Sequence, residues 1–112
     1  MVIYEVNLTI NNDIYIDFRA WLNQHIDAIL RIHTFIQASV FKVEQNKNAD
    51  EKQLTIQYQL NNRHDLEQYF IKFAAKMRTD AINQFGNKFS ATRRILELQE
   101  IIILPSKSIS KT

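Results

Sequence analysis

The sequence predicts an α+β domain with the element order βαββαβ, and three observations lead to this prediction. Apolar and polar residues alternate with a period of two near the start, in the middle and near the end of the chain, which is typical of half-buried strands. Between these segments, apolar residues recur every three or four positions, which is typical of amphipathic helices. The 112 residues include one Gly, one Pro and no Cys. This fits a domain without disulfides or thiolate zinc sites.

The first half of the chain predicts a strand, a helix and a second strand. Residues 2–10 alternate, with the apolar side chains at even positions, and Asn11 follows as a turn and capping candidate. Residues 14–31 predict a helix, because their apolar side chains, Trp21 and His25 among them, form one stripe. Residues 35–44 are rich in aromatic and β-branched residues, which favours a strand.

The second half predicts a polar hairpin loop at 45–52, a strand at 53–60, a helix and a last strand. Asn61 or Asn62 is expected to cap the helix, and Gly86 is placed to end it. The apolar stripe of this helix comprises Leu66, Tyr69, Phe70, Phe73, Met77, Ala81 and Phe85. Residues 89–104 predict the last strand, so that 1–104 form one domain, and the polar residues 105–112 predict a short disordered tail.

Right-handed crossovers place both helices on one face of a four-stranded antiparallel sheet, which is the ferredoxin-like sandwich. The alternation predicts that one set of side chains points at the helices: Tyr4, Val6, Leu8, Ile56, Tyr58, Leu96 and Leu98. A second set is expected on the open face: Glu5, Asn7, Thr9, Thr55, Gln57, Gln59, Arg93 and Glu97. The open face is therefore rich in Thr, Gln and Asn, whereas solvated surfaces favour Lys and Glu.

The last predicted strand is unusually long, and this predicts a homodimer. Sixteen extended residues would span roughly 50 Å, against about 17–20 Å for a common strand. Part of the segment must bend or leave the sheet. The apolar run 101–104 would then be covered by a second copy of the chain. The alternative is a bulge followed by a C-terminal extension packed on its own subunit.

Five stretches of the chain resemble a known family in their order and spacing: VIYEVNLTI, FRAWLNQHI, FIQASVF, IQYQL and FSATRRIL. The resemblance covers residues 2–96. It is to a bacterial family of small proteins of unknown function in the dimeric α/β-barrel superfamily, beside the antibiotic-biosynthesis-monooxygenase-like proteins. It implies a homodimer whose two sheets face each other. His33 and Thr34 depart from the Pro-Gly turn that is common there. Because the superfamily includes cofactor-free monooxygenases, haem-degrading enzymes and binding modules, the resemblance selects no activity.

Two groups of residues are candidates for function. Tyr4, Trp21, His25 and Tyr58 would line a small-molecule pocket between helix and sheet, with His25 as acid or base. The alternative is an aromatic core in which His25 bonds a backbone carbonyl or a tyrosine hydroxyl.

Glu5, Asn7, Arg93 and Glu97 form the second candidate group, a polar cluster on the open face, because the first and last strands are neighbours in this topology. Such a cluster would bind a ligand or waters. The alternative is an interface network in which Arg93 compensates the buried carboxylates.

Other classes of function have little support in the sequence. The net charge is +2, and residues of both signs are mixed along the chain. This argues against a continuous basic surface that would bind the phosphates of a nucleic acid. The three His are scattered without metal-ligand spacing, so we predict neither a metal nor another cofactor. Neither a signal peptide nor a membrane span is recognisable, so a cytoplasmic protein is expected. The resemblance includes haem-degrading enzymes, which carry an Asn on the first strand and hold haem through a His on the second helix. Asn7 could mimic that Asn, but the helix from Leu66 to Phe85 carries no His, so haem degradation is disfavoured.

The sequence therefore leaves two hypotheses for function. The leading one is a homodimeric small-molecule-binding or interaction module with no catalytic residues. The alternative is a cofactor-independent monooxygenase that acts on a small aromatic or polyketide-like substrate and uses Trp21 and His25, with Asn7 as a further candidate.

Overall fold

The computed structural model describes residues 1–45 and 49–105 of the chain. A 3-10 turn, Asn12–Ile14, precedes the first helix. The main elements in chain order are β1 (Val2–Asn11), α1 (Tyr15–Leu30), β2 (Phe35–Lys42), β3 (Glu51–Leu60), α2 (Arg63–Tyr69), a π-helical segment (Phe70–Ala74), α3 (Ala75–Phe85) and β4 (Phe89–Glu97). Because α2, the π segment and α3 follow one another without a break, they form one helical run.

The four strands form one antiparallel sheet in the order β2-β3-β1-β4. The even-numbered side chains of β1 pack with residues of α1 and of the helical run in a single core, so both helical layers cover the same face. The opposite face is open. The predicted ferredoxin-like α+β fold is confirmed.

Side-chain caps begin the helical segments where the sequence predicts them, and glycine ends the last one. The side chain of Asn11 accepts a hydrogen bond from the backbone N–H of Asp13 at 3.1 Å, and that of Asn62 accepts one from Asp65 at 2.9 Å. Gly86 ends α3 with a φ of 59°, a conformation that costs little only for glycine.

The π segment shifts the buried stripe of the helical run. Phe73, predicted to face the core, is 38% exposed, and Ala74 is buried instead. A π turn holds an extra residue relative to an α turn, so the inward position moves along by one. The placement of Phe73 in the stripe is therefore wrong, while Leu66 and Tyr69 are buried as predicted.

The last strand is shorter than the sequence predicts. It ends at Glu97, which lies opposite Val2, and β1 offers no further partner residue beyond that point. One more backbone bond, from Leu98 N–H to the carbonyl of Met1 at 3.0 Å, follows. Residues 98–104 then leave the sheet, and the side chains of 101–104 are exposed. The expected tail beyond Pro105, like positions 46–48 of the hairpin loop, lies outside the described residues.

The phase of β4 is also opposite to the prediction. Arg93 pairs with Val6 and Glu97 with Val2, so these two side chains stand on the helix-covered face. Leu96 pairs with Ile3 and stands on the open face. Leu98, also predicted to face the helices, follows the end of the strand and is 43% exposed. The register against β1 decides the phase, which the sequence of β4 leaves ambiguous because Ile95 and Leu96 are adjacent apolar residues.

Candidate functional site

A cavity of about 270 Å³ lies between α1, α3 and the helix-covered face of the sheet. Its wall is mainly aromatic and aliphatic, and the structure brings together in it all four residues of the predicted pocket, Tyr4, Trp21, His25 and Tyr58. Ala81 of α3 also lines it. A volume near the lower end of the range for ligand sites fits a small molecule.

Helical and strand periodicity place the aromatic groups of this wall. Trp21 and His25 lie one turn apart on α1, and their rings stack with centroids 4.5 Å apart at 21°. Tyr4 and Tyr58 are directly opposite each other on β1 and β3, with ring centroids 6.0 Å apart at 26°. The cavity therefore has one aromatic pair on the helix side and another on the sheet side.

Two tyrosine hydroxyls in the cavity, those of Tyr58 and Tyr69, are available for hydrogen bonds to a ligand or to water. Within the described residues, no fully buried side-chain nitrogen or oxygen lacks a hydrogen-bond partner. The rings of Tyr58 and Tyr69 are buried and their hydroxyl groups make no hydrogen bond to the described part of the chain. Their hydroxyls must therefore be reached by water or by a ligand. Burial raises the pKa of Tyr69 to about 12 and that of Tyr58 further, so both are neutral donors at pH 7.

His25 stands half buried in the cavity wall. Burial lowers the pKa of His25 below the usual 6.5. The negative charge of Asp80 acts to raise this pKa, and the positive charge of Arg93 acts to lower it further. The imidazole is therefore mostly neutral at pH 7 and able to accept a proton. In the described residues it has no hydrogen bond to a backbone carbonyl or a tyrosine hydroxyl, in contrast to the predicted core alternative.

The cavity also includes two arginines that the sequence analysis did not assign to it, Arg78 of α3 and Arg93 of β4. Arg78 Nη2 donates to the hydroxyl of Tyr4 at 3.5 Å. Helical spacing could have identified Arg78, because it lies three residues before Ala81 on the same face. The apolar residues Phe89, Ala91 and Ile95 could have identified Arg93, because they occupy the same odd-numbered positions of β4.

A polar network occupies the centre of the open face around the carboxylate of Glu5, which is 3% exposed. This carboxylate accepts hydrogen bonds from Gln57 Nε2 at 2.9 Å, Asn7 Nδ2 at 3.1 Å and Arg94 Nε at 2.5 Å. The side chain of Asn7 in turn accepts a bond from the hydroxyl of Thr55 at 2.7 Å. Three adjacent strands are thus joined through side chains.

The network corrects the predicted cluster of four residues. Glu5 and Asn7 belong to it, but the cation is Arg94, and the grouping of Arg93 and Glu97 with them is wrong. Arg93 lines the cavity on the other face. Glu97 also points to the helix side, where it lies 3.7 Å from Arg63 Nη1 at the start of α2. The reason is the phase of β4, since neighbouring residues of a strand face opposite ways.

Hydrogen bonds to Glu5 stabilise its charged form. The bond from Arg94 and then that from Gln57 outweigh the effect of burial, and they lower the pKa of Glu5 from 4.5 to about 2. The carboxylate is therefore ionised and neutralised by Arg94 across the whole physiological range. Such a pair suits a structural role better than that of a general acid or base.

Two other properties bear on the kind of site. The described residues contain no group of three or more His, Asp or Glu side chains that could hold a metal ion. None of the helices in that part of the chain is long and apolar enough to cross a membrane.

Residues 1–99 match the family model described as Domain of unknown function (DUF4286). The chain belongs to this DUF4286 family. The match includes every residue of the cavity and of the polar network. No curated protein matches the chain in sequence.

Solved structures of several proteins share the fold of this DUF4286 protein. The cofactor-independent oxygenase SnoaB from Streptomyces nogalater aligns with a TM-score of 0.64 and 8% identity over 90% of this chain and 96% of its own. A protein described as an ethyl tert-butyl ether d (EthD) family protein, from Bacillus halodurans, gives a TM-score of 0.62 and 16% identity over 88% of this chain and 100% of its own. A dimeric ferredoxin-like protein from an uncultured marine organism gives 0.61 and 11%, over 92% and 100%. At these identities the likeness concerns the fold.

The network around Glu5 predicts a specific acid sensitivity. The pKa of Glu5 is about 2 in the folded protein, against the usual 4.5. Its contribution to stability is therefore complete above about pH 4.5 and disappears as the pH falls towards 2. We expect Glu5→Gln to lower the free energy of unfolding at pH 7 by about 2 kcal/mol, allowing for the solvent exposure of Arg94. Urea unfolding from pH 7 to pH 2 measures both effects.

Glu67→Gln is the matched control, because it removes an exposed carboxylate that lies 3.4 Å from Arg63 on the helix surface. Its effect should be within about 0.5 kcal/mol. If Glu5→Gln and the wild type lose stability in parallel below pH 4.5, the proposed charge coupling of Glu5 is wrong.

Proposed function

We propose that this DUF4286 protein is a homodimeric module that binds one small, mainly apolar ligand in the cavity of each subunit. The observation that carries the proposal is the cavity itself, which has a volume of about 270 Å³ and apolar walls. The hydroxyls of Tyr58 and Tyr69, which make no hydrogen bond to the described part of the chain, lie beside these walls. Few polar groups within an aromatic lining are the usual features of a ligand site, since the lining provides affinity and the polar atoms fix orientation.

The open face supports pairing with a second copy of the chain. By the strand register, three of the described residues of the sheet place a charged side chain on this face. Glu5 and Arg94 neutralise each other, and Glu51 lies at the margin, at the start of β3. The remaining positions are Ile3, Asn7, Thr9, Asn11, Gln37, Ser39, Phe41, Gln53, Thr55, Gln57, Gln59, Ser90, Thr92 and Leu96. A face without lysine, and with apolar residues at its margins, is suited to burial against an identical face.

The size of the open face indicates what else the dimer would bury. Four strands spaced about 4.8 Å apart, each with about nine residues rising about 3.4 Å, give an area of about 600 Å². Stable interfaces bury about 800 Å² on each partner. The exposed segment 101–104 continues from the end of β4 and would supply the missing apolar area. A solved protein with the same fold is described as dimeric, which also favours this arrangement.

We also propose a domain organisation and a cellular compartment for this module. One sheet and one core join all the described elements, so residues 1–104 are proposed to fold as a single domain. The chain contains no Cys, which fits a reducing compartment such as the cytoplasm. Neither part of this proposal depends on the identity of the ligand.

A cofactor-independent oxygenase is the second candidate, and the position of His25 favours it. The imidazole faces the cavity, is neutral at pH 7 and stacks on Trp21. It could take a proton from an acidic hydroxyl of an electron-rich aromatic substrate. The resulting anion would react with dioxygen at a ring carbon. As the O–O bond breaks, one oxygen atom becomes a carbonyl of the quinone product and the other leaves as water with the two hydrogens that the substrate loses, so the substrate itself supplies the electrons. The oxygenase SnoaB has the same fold.

Filling the cavity should weaken ligand binding. Ala81 is buried in the cavity wall, so Ala81→Leu adds its extra carbons to the space that a ligand would occupy. We expect naphthaleneacetamide to shift the indole N–H resonance of Trp21, the only Trp of the chain, and Ala81→Leu to weaken its binding by at least about tenfold. Ala75→Leu, an exposed position on the same helix, is the control. Equal binding by both variants would contradict the site.

A lysine on the open face should dissociate the dimer. Thr92 lies on β4 opposite Asn7 and is exposed in the single subunit, so Thr92→Lys is compatible with the folded monomer but would bury an unpaired charge in the dimer. Sedimentation equilibrium should give twice the monomer mass for the wild type and for the control Thr79→Lys on α3, and the monomer mass for Thr92→Lys. A monomeric wild type at micromolar concentration would refute the dimer.

The oxygenase candidate predicts that dioxygen uptake with a dihydroxynaphthalene depends on His25. His25→Asn should reduce the uptake rate by about 100-fold or more, since a positioned base contributes about that factor. His33→Asn, at an exposed position outside the cavity, should leave the rate unchanged. An uptake rate that does not differ between wild type and His25→Asn would eliminate the enzymatic role.

A further inference from the structure

We infer that the cavity selects aromatic carboxylates, with the ring of the ligand inside the apolar wall and its carboxylate held at the mouth by Arg78 and Arg93. This inference rests on the proposed binding function and deepens it, because it names the chemical class of the ligand. It starts from the position of the two guanidinium groups on an otherwise apolar lining.

The two arginines come from different layers and converge on one space. Arg93 extends from β4 on the helix-covered face, opposite Val6, and Arg78 extends from α3. Both residues are exposed overall, so their charged groups lie where the cavity meets solvent. Electrostatic effects agree with this position: the charge of Arg93 acts on both His25 and Tyr58, and that of Arg78 acts on Tyr69.

Neither guanidinium has an acidic partner in the described part of the chain. The carboxylates in this region are engaged by other cations: Asp80 lies 3.3 Å from Lys76, and Glu97 lies near Arg63. The only side-chain hydrogen bond of Arg78 there is the long one to Tyr4, and Arg93 has none. Two cations beside an apolar cavity without a counter-charge are suited to an anion, because planar guanidinium groups bind carboxylates through paired hydrogen bonds.

The neutral groups of the wall favour the same ligand class. The hydroxyls of Tyr58 and Tyr69 carry their protons at pH 7 and can donate to carboxylate oxygens. A cationic ligand would meet two like charges at the mouth. An aliphatic acid would leave the aromatic pairs around Trp21 and Tyr58 without a ring to pack on, whereas an aromatic acid satisfies both parts of the cavity.

A matched series of ligands tests the charge preference. Naphthaleneacetate, naphthaleneacetamide and naphthaleneethylamine share a ring and differ in carrying a negative, no or a positive charge. Calorimetry on the full-length protein should find that the acetate binds about tenfold more tightly than the amide, with the amine weakest. High salt should reduce the preference, because the mouth is exposed to solvent.

Substitution of the arginines identifies the groups responsible. In Arg93→Gln and Arg78→Gln, the affinity for the acetate should fall to within about threefold of that for the amide, while the affinity for the amide stays the same. Arg31→Gln is the control, because it removes one positive charge from an exposed site outside the cavity. Far-ultraviolet circular dichroism and the Trp21 indole resonance verify that each variant is folded.

The outcomes separate the two levels of the proposal. If the acetate and the amide bind equally in the wild type, or if both arginine variants keep the preference, the carboxylate inference is wrong and the binding function stands. If none of the three compounds binds, or if Ala81→Leu binds them as well as the wild type does, the proposed binding function itself is overturned.

Discussion

The position of β1 at the centre of the sheet is the constraint on which both candidate sites depend. β1 pairs with β3 on one side and with β4 on the other, in continuous antiparallel register. Consecutive side chains of a strand face opposite ways. Tyr4 therefore contributes to the cavity under the helices, while Glu5, its neighbour, organises the network on the open face. A slip of one residue in this register would exchange the two environments.

β4 repeats the same division with two arginines. Arg93 borders the apolar cavity, and Arg94 neutralises the buried carboxylate of Glu5. One guanidinium is thus available to an incoming group, while the other is engaged by Glu5 through its Nε. Because the two residues are adjacent and chemically identical, only their registration against β1 assigns their different roles. The ligand hypothesis and the dimer hypothesis consequently depend on the same set of backbone hydrogen bonds.

Sequence patterns were most informative where one face of an element is apolar and the other is polar. Residues 2–10, the stripe that carries Trp21 and His25, and the cap at Asn62 all follow from periodicity and capping chemistry. The phase of β4 did not follow, since Ile95 and Leu96 leave two possible alternations and tertiary pairing decides between them. The π turn was not foreseeable either, because the apolar spacing of residues 66–85 matches an uninterrupted α-helix. The phase of β4 is also the reason why Arg93 was not assigned to the cavity, whereas Arg78 was missed although its helical spacing from Ala81 places it on the same face.

The number of residues in the π segment Phe70–Ala74 determines which side chains of α3 face the sheet. Each residue advances a helix by about 100° around its axis. In a homologous chain with one residue fewer at this point and an otherwise identical sequence, Met77, Arg78 and Ala81 would be rotated away from their present direction. Insertions and deletions within residues 70–74 are thus a route by which members of the family could diverge in what they recognise without altering the sheet.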